Sequence, residues 1–593
     1  MAAISPRLVV FVAVLLLLLA TATTTQCHRH GKRRRHHGAV AAKGAAAAAV
    51  RPGVTDVHAV CRTTPHPDSC LASTAAHLDA VSAEAAAAAA AASTISVQLL
   101  PPNILSVALA SLRGALAAVS SLSPALSSAL SPPSGASSPL RRGAAQDCLE
   151  LHAATLASLS RSASLLASPG EGLPAVRAHL AAALANKATC LDGLDGAAPS
   201  SGPEMAGLLA SLDDAYAHVT NSLSLVAGHG GGGGSAASFA AAVANIIHHN
   251  RRLLNDDDND DYNGGNDDDD NSNNSGENTV VITVAKDGSG NYRTVGEAVA
   301  AAPNNSAART VIRVKAGTYE ENVEVPPYKT NIALVGDGRG ATVITGSRSA
   351  ADGWTTFRSA TFGVSGEGFM ARDVTFRNTA GAAKGQAVAL RVSADMAAAY
   401  RCGVEGHQDA LYAHSFRQFY RECAVSGTVD LVFGDAAAVL QACELVAGAP
   451  VAGQSNVLTA QARGDPNEDT GFSVHNCTVV ASPELLASGV STRTFLGRPW
   501  RPYARAVVMD SYLGPLVDRA GWVEWPGAEP GRAETVYFGE YGNSGPGAAM
   551  DGRVGWAGFH DMGYDEAAQF SVDNLISGDQ WLAATSFPYD DDV

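Results

Sequence analysis

The pattern of hydrophobic and polar residues divides the chain into two parts with different secondary structure. Between residues 55 and 226, segments such as 144–168 place apolar residues three or four positions apart, which is typical of amphipathic helices. Pro132-Pro133 and Pro169-Gly170 separate these segments. The sequence therefore predicts an all-α, antiparallel four-helix bundle for residues 55–226.

From Thr279 onward the chain consists of short β-rich strings, such as VVITVA, TVIRVKAG and RQFYRECAVSG, separated by Gly, Asn and Asp. Cys402, Cys423 and Cys443 recur at nearly equal intervals, and Tyr400 and Tyr420 recur at a similar interval. A period of about 20–24 residues with several short strands indicates a parallel β-helix over 279–593, whose coils stack about 4.8 Å apart. A β-sandwich is the alternative, but its hairpin signals are missing.

The N-terminal segment 1–25 resembles a targeting signal. Arg7 precedes an unbroken apolar run from Leu8 to Ala20. That length suits the core of a signal peptide and falls short of the roughly 20 residues that span a bilayer. The sequence predicts a signal peptide over 1–25 and a secreted protein; a signal anchor is the alternative, because Lys32-Arg33-Arg34-Arg35 follow the apolar run.

Residues 227–278 are predicted to be a flexible linker. Gly230–Gly234 is an uninterrupted glycine run, and residues 255–278 have too little apolar surface to fold. Between them lies Arg251-Arg252-Leu253-Leu254. A dibasic sequence in an exposed linker suits a processing protease; alternatively it ends a helix with favourable charge.

The charge is unevenly distributed along the chain. The net charge is −16, made up of +5 over residues 1–254, −10 over 255–278 and −11 over 279–593. An acidic chain is a poor general binder of nucleic acid or anionic membranes. The opposite signs of the first and last parts favour docking of one on the other.

Eight of the nine cysteines fall into two groups of four; Cys27 lies beside the signal. In a secreted protein such groups indicate disulfides, and a zinc site is disfavoured because no CxxC pair occurs. In the second group, Cys402–Cys423 with Cys443–Cys477 uses all four cysteines. Cys423–Cys443 is the alternative and leaves two free.

The same period suggests a catalytic site. Gln386 is separated from Gln408, and Asp409 from Asp430, by about one period, so the four side chains should cluster on successive coils. Two stacked carboxylates repel, which should raise one pKa and leave the other low, giving an acid and a nucleophile. Arg498 is the candidate cation for the ionised one. Singly, each Asp could simply occupy a turn of the solenoid.

Several of these strings resemble the plant pectin methylesterase family over residues 280–590: GQAVALR, QDALY, GTVDLVFG, LGRPW and NLISGDQWL. CRTTPHPDSC, DCLELHAA and ATCLDGL resemble the associated pectinesterase-inhibitor domain. The resemblance implies a right-handed parallel β-helix that removes methyl esters from homogalacturonan in the plant cell wall, preceded by an inhibitor-like pro-region. It implies a monomer, no cofactor and no metal.

The resemblance also implies roles for individual residues. Asp430 matches the nucleophile, Asp409 the general acid/base, and Gln408 and Gln386 the amides that stabilise the oxyanion. The residues implied to contact substrate are Gln386, Arg498, Trp500 and Thr356. Two positions depart from the family pattern, His407 in place of the common Tyr and Ala410 in place of the common Thr.

Further expectations follow for the whole molecule. The resemblance supports the disulfides Cys61–Cys70 and Cys148–Cys190, and Trp522 and Trp525 join Trp500 as candidate faces for sugar rings, with core packing open for Trp522. Sequons at Asn273, Asn304 and Asn476 suit a glycoprotein. If the pro-region covers the cleft, the uncut chain should be weakly active; alternatively the pro-region assists only folding or export.

Two other functions share features of this sequence. A polygalacturonase or pectate lyase would use the same fold and polymer, but a glycosidase does not need paired oxyanion amides. A secreted pectin-binding or inhibitor protein with a decayed esterase would be non-enzymatic, whereas all five expected catalytic positions are intact here.

Overall fold

The helical part and the β-rich part are both present as predicted in the computed structural model, which describes residues 57–75, 104–130, 138–167, 172–197, 203–228, 280–489, 492–528 and 530–593. These residues belong to one unit, Gly53–Val593. The predicted signal peptide, the glycine run, Arg251–Leu254, the acidic linker and Asn273 lie outside the described residues.

The N-terminal part is helical. Its helices are α1 Val57–Cys61, α2 Ile104–Leu130, α3 Pro139–Ala167, α4 Leu173–Gly196 and α5 Pro203–Ala227, and residues 67–75 are also helical. Their apolar stripes meet in one core that includes Leu112, Leu159, Leu180 and Leu223. By length and composition, Ile104–Ser128 could cross a membrane, but here α2 packs its Leu112 and Val119 into this core.

Two disulfides hold the helical part together. Cys61 is bonded to Cys70, and Cys148 on α3 is bonded to Cys190 on α4. Both pairings are those that the family resemblance implies. The second bond joins two neighbouring helices and closes the loop of chain between them, which restricts the unfolded chain.

Residues 280–593 form a parallel β-helix, which confirms the predicted fold and excludes the β-sandwich. All pairings between its named strands are parallel and join successive coils, as in Leu390, Leu411 and Val432. The central coils contribute a strand to each of three sheets, whereas the first and last coils add strands to sheet 1 alone, and the short apolar strands bury their inward residues in a continuous core.

The strands are best given sheet by sheet. Sheet 1 contains β1 Val280–Val284, β2 Thr310–Val314, β5 Ile332–Gly336, β8 Met370–Arg372, β11 Ala397–Tyr400, β14 Arg417–Arg421, β17 Ala437–Gln441, β20 Gly471–His475, β23 Arg505–Met509, β25 Tyr537–Tyr541 and β26 Phe559–Asp561. Sheet 2 contains β4 Val323–Val325, β7 Phe362–Val364, β10 Leu390–Val392, β13 Leu411–Ala413, β16 Val432–Gly434, β19 Asn456–Gln461 and β22 Thr494–Pro499. Sheet 3 contains β3 Gly317–Glu320, β6 Thr342–Gly346, β9 Thr375–Asn378, β12 Gly403–Glu405, β15 Ala424–Gly427, β18 Glu444–Ala447, β21 Thr478–Ala481 and β24 Tyr512–Leu513.

Short helices connect or follow the strands of the β-helix. The α-helices are α6 Val295–Ala301, α7 Pro483–Ala487, α8 Arg532–Thr535, α9 Tyr564–Ala567 and α10 Val572–Ile576. The 3₁₀ turns are Ala350–Asp352, Phe357–Ser359, Ala382–Lys384, Pro546–Ala548, Ala568–Phe570, Gly578–Gln580 and Leu582–Thr585. α6 begins with a capping box in which Thr294 and Glu297 satisfy each other's backbone N–H groups.

The corner between sheets 1 and 3 repeats on successive coils. One residue there has a left-handed backbone, as at Arg401, Glu422, Ala442 and Asn476, with φ of 51–52°. The next residue is a cysteine in each case: Cys402, Cys423, Cys443 and Cys477.

These four cysteines are buried free thiols, so the predicted disulfides of the β-helix are wrong. On successive parallel coils the Cα–Cβ bonds point the same way, which keeps Cβ atoms about 4.8 Å apart. A disulfide needs about 3.8 Å. The thiols instead approach carbonyls one coil away: Cys443 Sγ is 3.4 Å from Tyr420 O, and Cys477 Sγ is 3.2 Å from Leu440 O.

Candidate active site

Asp409 and Asp430 lie at the corner that precedes sheet 2, each just before its strand, β13 or β16. Leu411 pairs with Val432 in those strands, so the two carboxylates occupy equivalent positions on neighbouring coils. Both residues have left-handed backbones, with φ of 65° and 53°, which Asp tolerates better than most residues. They are only 5% and 4% exposed.

Arg498 on β22 binds Asp430 through both prongs of its guanidinium. Nε donates to Oδ1 at 2.8 Å and Nη2 donates to Oδ2 at 2.7 Å. This fork fixes the orientation of the carboxylate and neutralises its charge. The predicted pairing of Arg498 with one member of the Asp pair is the geometry observed.

The two carboxyl groups differ electrostatically. Burial raises the pKa of Asp409 well above its usual range, and the Asp430 carboxylate raises it further. The Arg498 guanidinium and the hydrogen bond with the Gln408 side chain lower that pKa but do not outweigh these effects. Burial also raises the pKa of Asp430, and Arg498 opposes that shift. The expectation that one pKa stays low is therefore wrong, because burial outweighs the guanidinium. Because Arg498 binds Asp430 directly, Asp430 is the carboxyl that ionises first.

The two glutamines flank this pair. Gln408 and Gln386 are both partly exposed, and the backbone N–H of Ala387 donates to Gln408 O at 3.1 Å, which joins their two coils. Gln386 O in turn accepts from Ala350 N at 2.9 Å. Their side-chain amides are hydrogen-bond donors.

Thr356 begins the 3₁₀ turn Phe357–Ser359 beside sheet 2 and is partly exposed. His407 is half-buried, and burial lowers its pKa. Ala410, the other departure from the family pattern, is buried.

A row of side chains on sheet 2 forms the floor beside the carboxylates. Arg391, Tyr412 and Phe433 pair in register across β10, β13 and β16. Tyr412 stacks on Phe433 with ring centroids 4.2 Å apart, and Phe433 lies 6.0 Å from Trp500. Sequence reasoning missed this row, although its members are separated by the same interval that links Asp409 to Asp430.

The predicted tryptophans separate into two environments. Trp525 stacks on Trp500 at 6.2 Å and lies under the Arg498 guanidinium at 4.3 Å. Trp522 is buried in the β-helix core and stacks on Phe538. Trp525 therefore lies in the cleft, the surface formed by the two carboxylates, the aromatic floor and Trp500. Trp522 is part of the core.

Helices α3 and α4 pack on this same face of the β-helix. The Thr189 hydroxyl lies 3.2 Å from Tyr412 Oη and 3.0 Å from His414 Nε2. Phe357, Tyr412 and Phe433 share one buried apolar cluster with the helices, and Trp500 and Trp525 pack against it. The helical part therefore covers the aromatic floor.

Ion pairs surround this contact. On α3, Asp147 accepts from Thr355 Oγ1 at 2.5 Å and pairs with Arg358 Nε at 2.6 Å, and burial raises its pKa to about 6. Arg358 also binds Glu150 at 2.7 Å.

On α4, Asp192 binds Arg501, the residue that follows Trp500. Arg177 binds Asp469 at 2.7 Å. Of the four ion pairs named across this contact, three put the acid on the helices. The signs of these local pairs are thus mostly the reverse of the net charges of the two parts, and docking by opposite net charge stays a prediction.

Two of the three sequons are on exposed asparagines. Asn304 lies after α6, and Asn476 is the corner residue after β20. Both side chains are at the surface of the β-helix.

Comparison with known proteins gives consistent matches. The sequence model of the Pectinesterase family matches residues 281–579, and that of the plant invertase/pectin methylesterase inhibitor family matches residues 55–225. The probable pectinesterase/pectinesterase inhibitor 12 of Arabidopsis thaliana is 43% identical over 551 residues, which cover 92% of this chain and 95% of that protein.

Two carrot matches cover about half of this chain. A pectinesterase of Daucus carota is 52% identical over 309 residues, 52% of this chain and 96% of its own length. The solved structure of a pectin methylesterase from carrot is 50% identical with a TM-score of 0.51, covering 54% of this chain and 99% of that one.

Proposed function

Since the chain belongs to the pectinesterase family, we propose that its β-helix, residues 279–593, hydrolyses the methyl esters of homogalacturonan to pectate and methanol. The observation that carries this proposal is the buried pair of Asp409 and Asp430, with Arg498 forked onto Asp430 beside an aromatic floor. Flat aromatic faces suit sugar rings, and a fixed carboxylate suits attack on an ester carbon.

The chemistry assigns one role to each polar group. Asp430 attacks the ester carbonyl carbon, and the amides of Gln386 and Gln408 donate to the oxyanion that forms. Loss of one such donor costs about 10²–10³ in rate in other enzymes. Collapse breaks the bond to the methoxy oxygen, and neutral Asp409 protonates the departing methanol. Asp409 then accepts a proton from water, whose oxygen opens the acyl-enzyme to free the carboxylate. Thr356, Trp500 and Trp525 would contact the sugar chain.

The helical part is proposed to be an antiparallel four-helix bundle over residues 55–226 that inhibits its own esterase. Thr189 and Asp192 contact Tyr412, His414 and Arg501 on the cleft face, which supports this role over one confined to folding. A polymer chain and α4 cannot occupy that floor together.

Release would come from a protease that cuts after Leu254. The linker holds the helices at a high local concentration, in the mM range for a short flexible chain, until the cut lets them dilute away. A signal peptide over 1–25 would bring the monomeric protein to the cell wall. The matched carrot protein consists almost wholly of the β-helix, which supports an active fragment 255–593.

Methanol and reducing ends, measured together, test the reaction. Residues 255–593 should release methanol from methyl-esterified homogalacturonan without creating reducing ends. New reducing ends would favour a polygalacturonase or lyase, and neither product would favour a non-enzymatic pectin-binding protein. A chain with Arg251→Ser and Arg252→Ser should stay uncut and release methanol more slowly than the fragment at equal molarity. Equal rates would contradict inhibition by the helices.

A further inference from the structure

A basic groove lies on sheet 1, away from the cleft on sheet 2. It has a volume of about 410 Å³ at the C-terminal ends of β2, β5 and β8. The charged residues that line it are Arg313, Lys315, Asp337, Arg372, Asp373 and Arg401.

The coil register places its cations in a row. Arg313 and Arg372 both pair with Val335, from opposite sides, so their backbones are two coils, about 9.6 Å, apart. Tyr400 pairs with Arg372 on the next coil, and Arg401 follows it. The row runs along the solenoid axis, as an extended polymer bound there would.

The groove is positive within an acidic protein. Its four cations and two carboxylates give a local charge of +2, against −11 for residues 279–593. Asp373 binds Arg401 through two contacts of 3.0 Å and lies 3.3 Å from Arg372 Nε, which orients both guanidinium groups. Lys315 and Arg401 remain accessible, with side chains 57% and 48% exposed.

In the part of the chain that the structure describes, no helical residue of the N-terminal part lines this groove. The residues that α3 and α4 contact by the ion pairs and hydrogen bonds described above are outside it, and it contains none of the cleft residues. A ligand could therefore bind in the groove whether or not the cleft is covered.

We propose that this groove is a second binding site for de-esterified galacturonan, a polycarboxylate. The proposal rests on the proposed function, because each ester hydrolysed would leave one carboxylate on the polymer. Guanidinium groups match carboxylates in geometry as well as charge, whereas a neutral methyl ester offers nothing to pair with them. The enzyme would thereby be retained on stretches of polymer that it has already de-esterified.

Calorimetric titration of the full-length Asp430→Asn chain tests this, since that variant should leave esters intact. A de-esterified oligogalacturonide should bind, and the fully methyl-esterified oligomer should bind at least about tenfold more weakly. Lys315→Gln with Arg401→Gln should weaken binding of the acid oligomer roughly tenfold. The matched control, Arg493→Gln with Arg519→Gln, makes the same charge change at exposed residues paired with Asp518 and Asp551, and should change affinity less than about twofold.

Three outcomes would overturn the proposal: unchanged affinity in the groove variant, an equal loss in the control, or displacement of the oligomer by equimolar inorganic phosphate, which would indicate a general anion site. Methanol release by the parent fragment is measured separately. Failure of the esterase proposal would therefore appear there, whatever the groove binds.

Discussion

Asp409 and Asp430 lie at the same corner of two successive coils, both with left-handed backbones and both buried, and Arg498 donates two hydrogen bonds to Asp430. The strand spacing of the solenoid thus holds two like charges close together, about one coil apart. Because the guanidinium favours ionisation of one member, the pair can supply a charged nucleophile and a neutral acid at the same pH.

Replacing Arg498 by Gln should move the acidic limb of the pH profile to higher pH. The guanidinium lowers the pKa of Asp430 against the raising effect of burial, so its removal raises that pKa further. A smaller fraction of Asp430 is then ionised at acidic pH. We expect the acidic limb of kcat/KM for fragment 255–593 to shift upward by about one unit or more.

Arg498→Lys keeps the positive charge beside Asp430 but removes the planar, two-pronged hydrogen-bond donor. It should leave the acidic limb nearer to that of the parent but still lower kcat strongly, because an ammonium cannot reproduce the two-pronged contact. Arg519→Gln, at the exposed pair with Asp551, should leave the profile unchanged. An acidic limb that stays in place in Arg498→Gln would show that Arg498 does not tune Asp430.

Reversing the charge of Arg501 should activate the uncut chain. Arg501→Glu repels Asp192 on α4 and so weakens docking of the helices. In the background of Arg251→Ser and Arg252→Ser, we expect the ratio of uncut to cut activity to rise about three- to tenfold. The ratio is the quantity to measure, since it cancels any effect of Arg501 on catalysis itself.

The reciprocal change provides the control. Asp192→Arg added to Arg501→Glu should restore the pair and return the ratio toward that of the parent, whereas Asp213→Arg, whose partner Lys187 lies within the helical part, should not affect it. If the double variant is as active as Arg501→Glu alone, the Asp192–Arg501 contact does not hold the helices on the cleft.

The thiols of the β-helix should be unreactive in the folded protein and countable after unfolding. Burial raises the pKa of Cys402, Cys423 and Cys443 well above the usual thiol range, so little thiolate is available to alkylating reagents. Alkylation in denaturant without reductant, followed by peptide mapping, should label these three and Cys477, but not Cys148 or Cys190. Disulfide-linked peptides from the second group would contradict the structure.

Glycans should be found on both exposed sequons of the β-helix. Asn304 and Asn476 are at the surface, so an oligosaccharide can be accommodated at either without disturbing the core. Glycopeptide mass spectrometry of protein secreted from plant cells checks this expectation. Unmodified asparagine at both positions would show that exposure alone does not determine whether a sequon is glycosylated.

The parallel β-helix and the proximity of Asp409 to Asp430 could be predicted because both depend on the sequence repeat of about 20–24 residues. That period separates Asp409 from Asp430 in the sequence, and the structure shows the corresponding coil register. The same interval relates Arg391, Tyr412 and Phe433, but Tyr412 and Phe433 are apolar enough to suit the core equally well. Side chains alternate between the two faces of a strand, and packing of Tyr412 and Phe433 against the helices shows that they face outward.

Other features depend on contacts that no local pattern encodes. Trp522 and Trp525 are close together in one loop, yet one is in the core and the other in the cleft. The cysteine spacing correctly indicated stacked neighbours, but bonding depends on the direction of Cβ. The pairing of Asp147 and Asp192 with basic residues of the β-helix arises only from docking of two distant segments.

The most direct test of the central claim is the rate of methanol release by fragment 255–593 carrying Asp430→Asn. The amide keeps the shape of the side chain but cannot attack an ester, so we predict a fall of about 10³-fold or more in kcat, with circular dichroism and thermal unfolding showing a retained β-helix. A folded Asp430→Asn fragment that releases methanol at the parent rate would contradict the assignment of Asp430 as nucleophile.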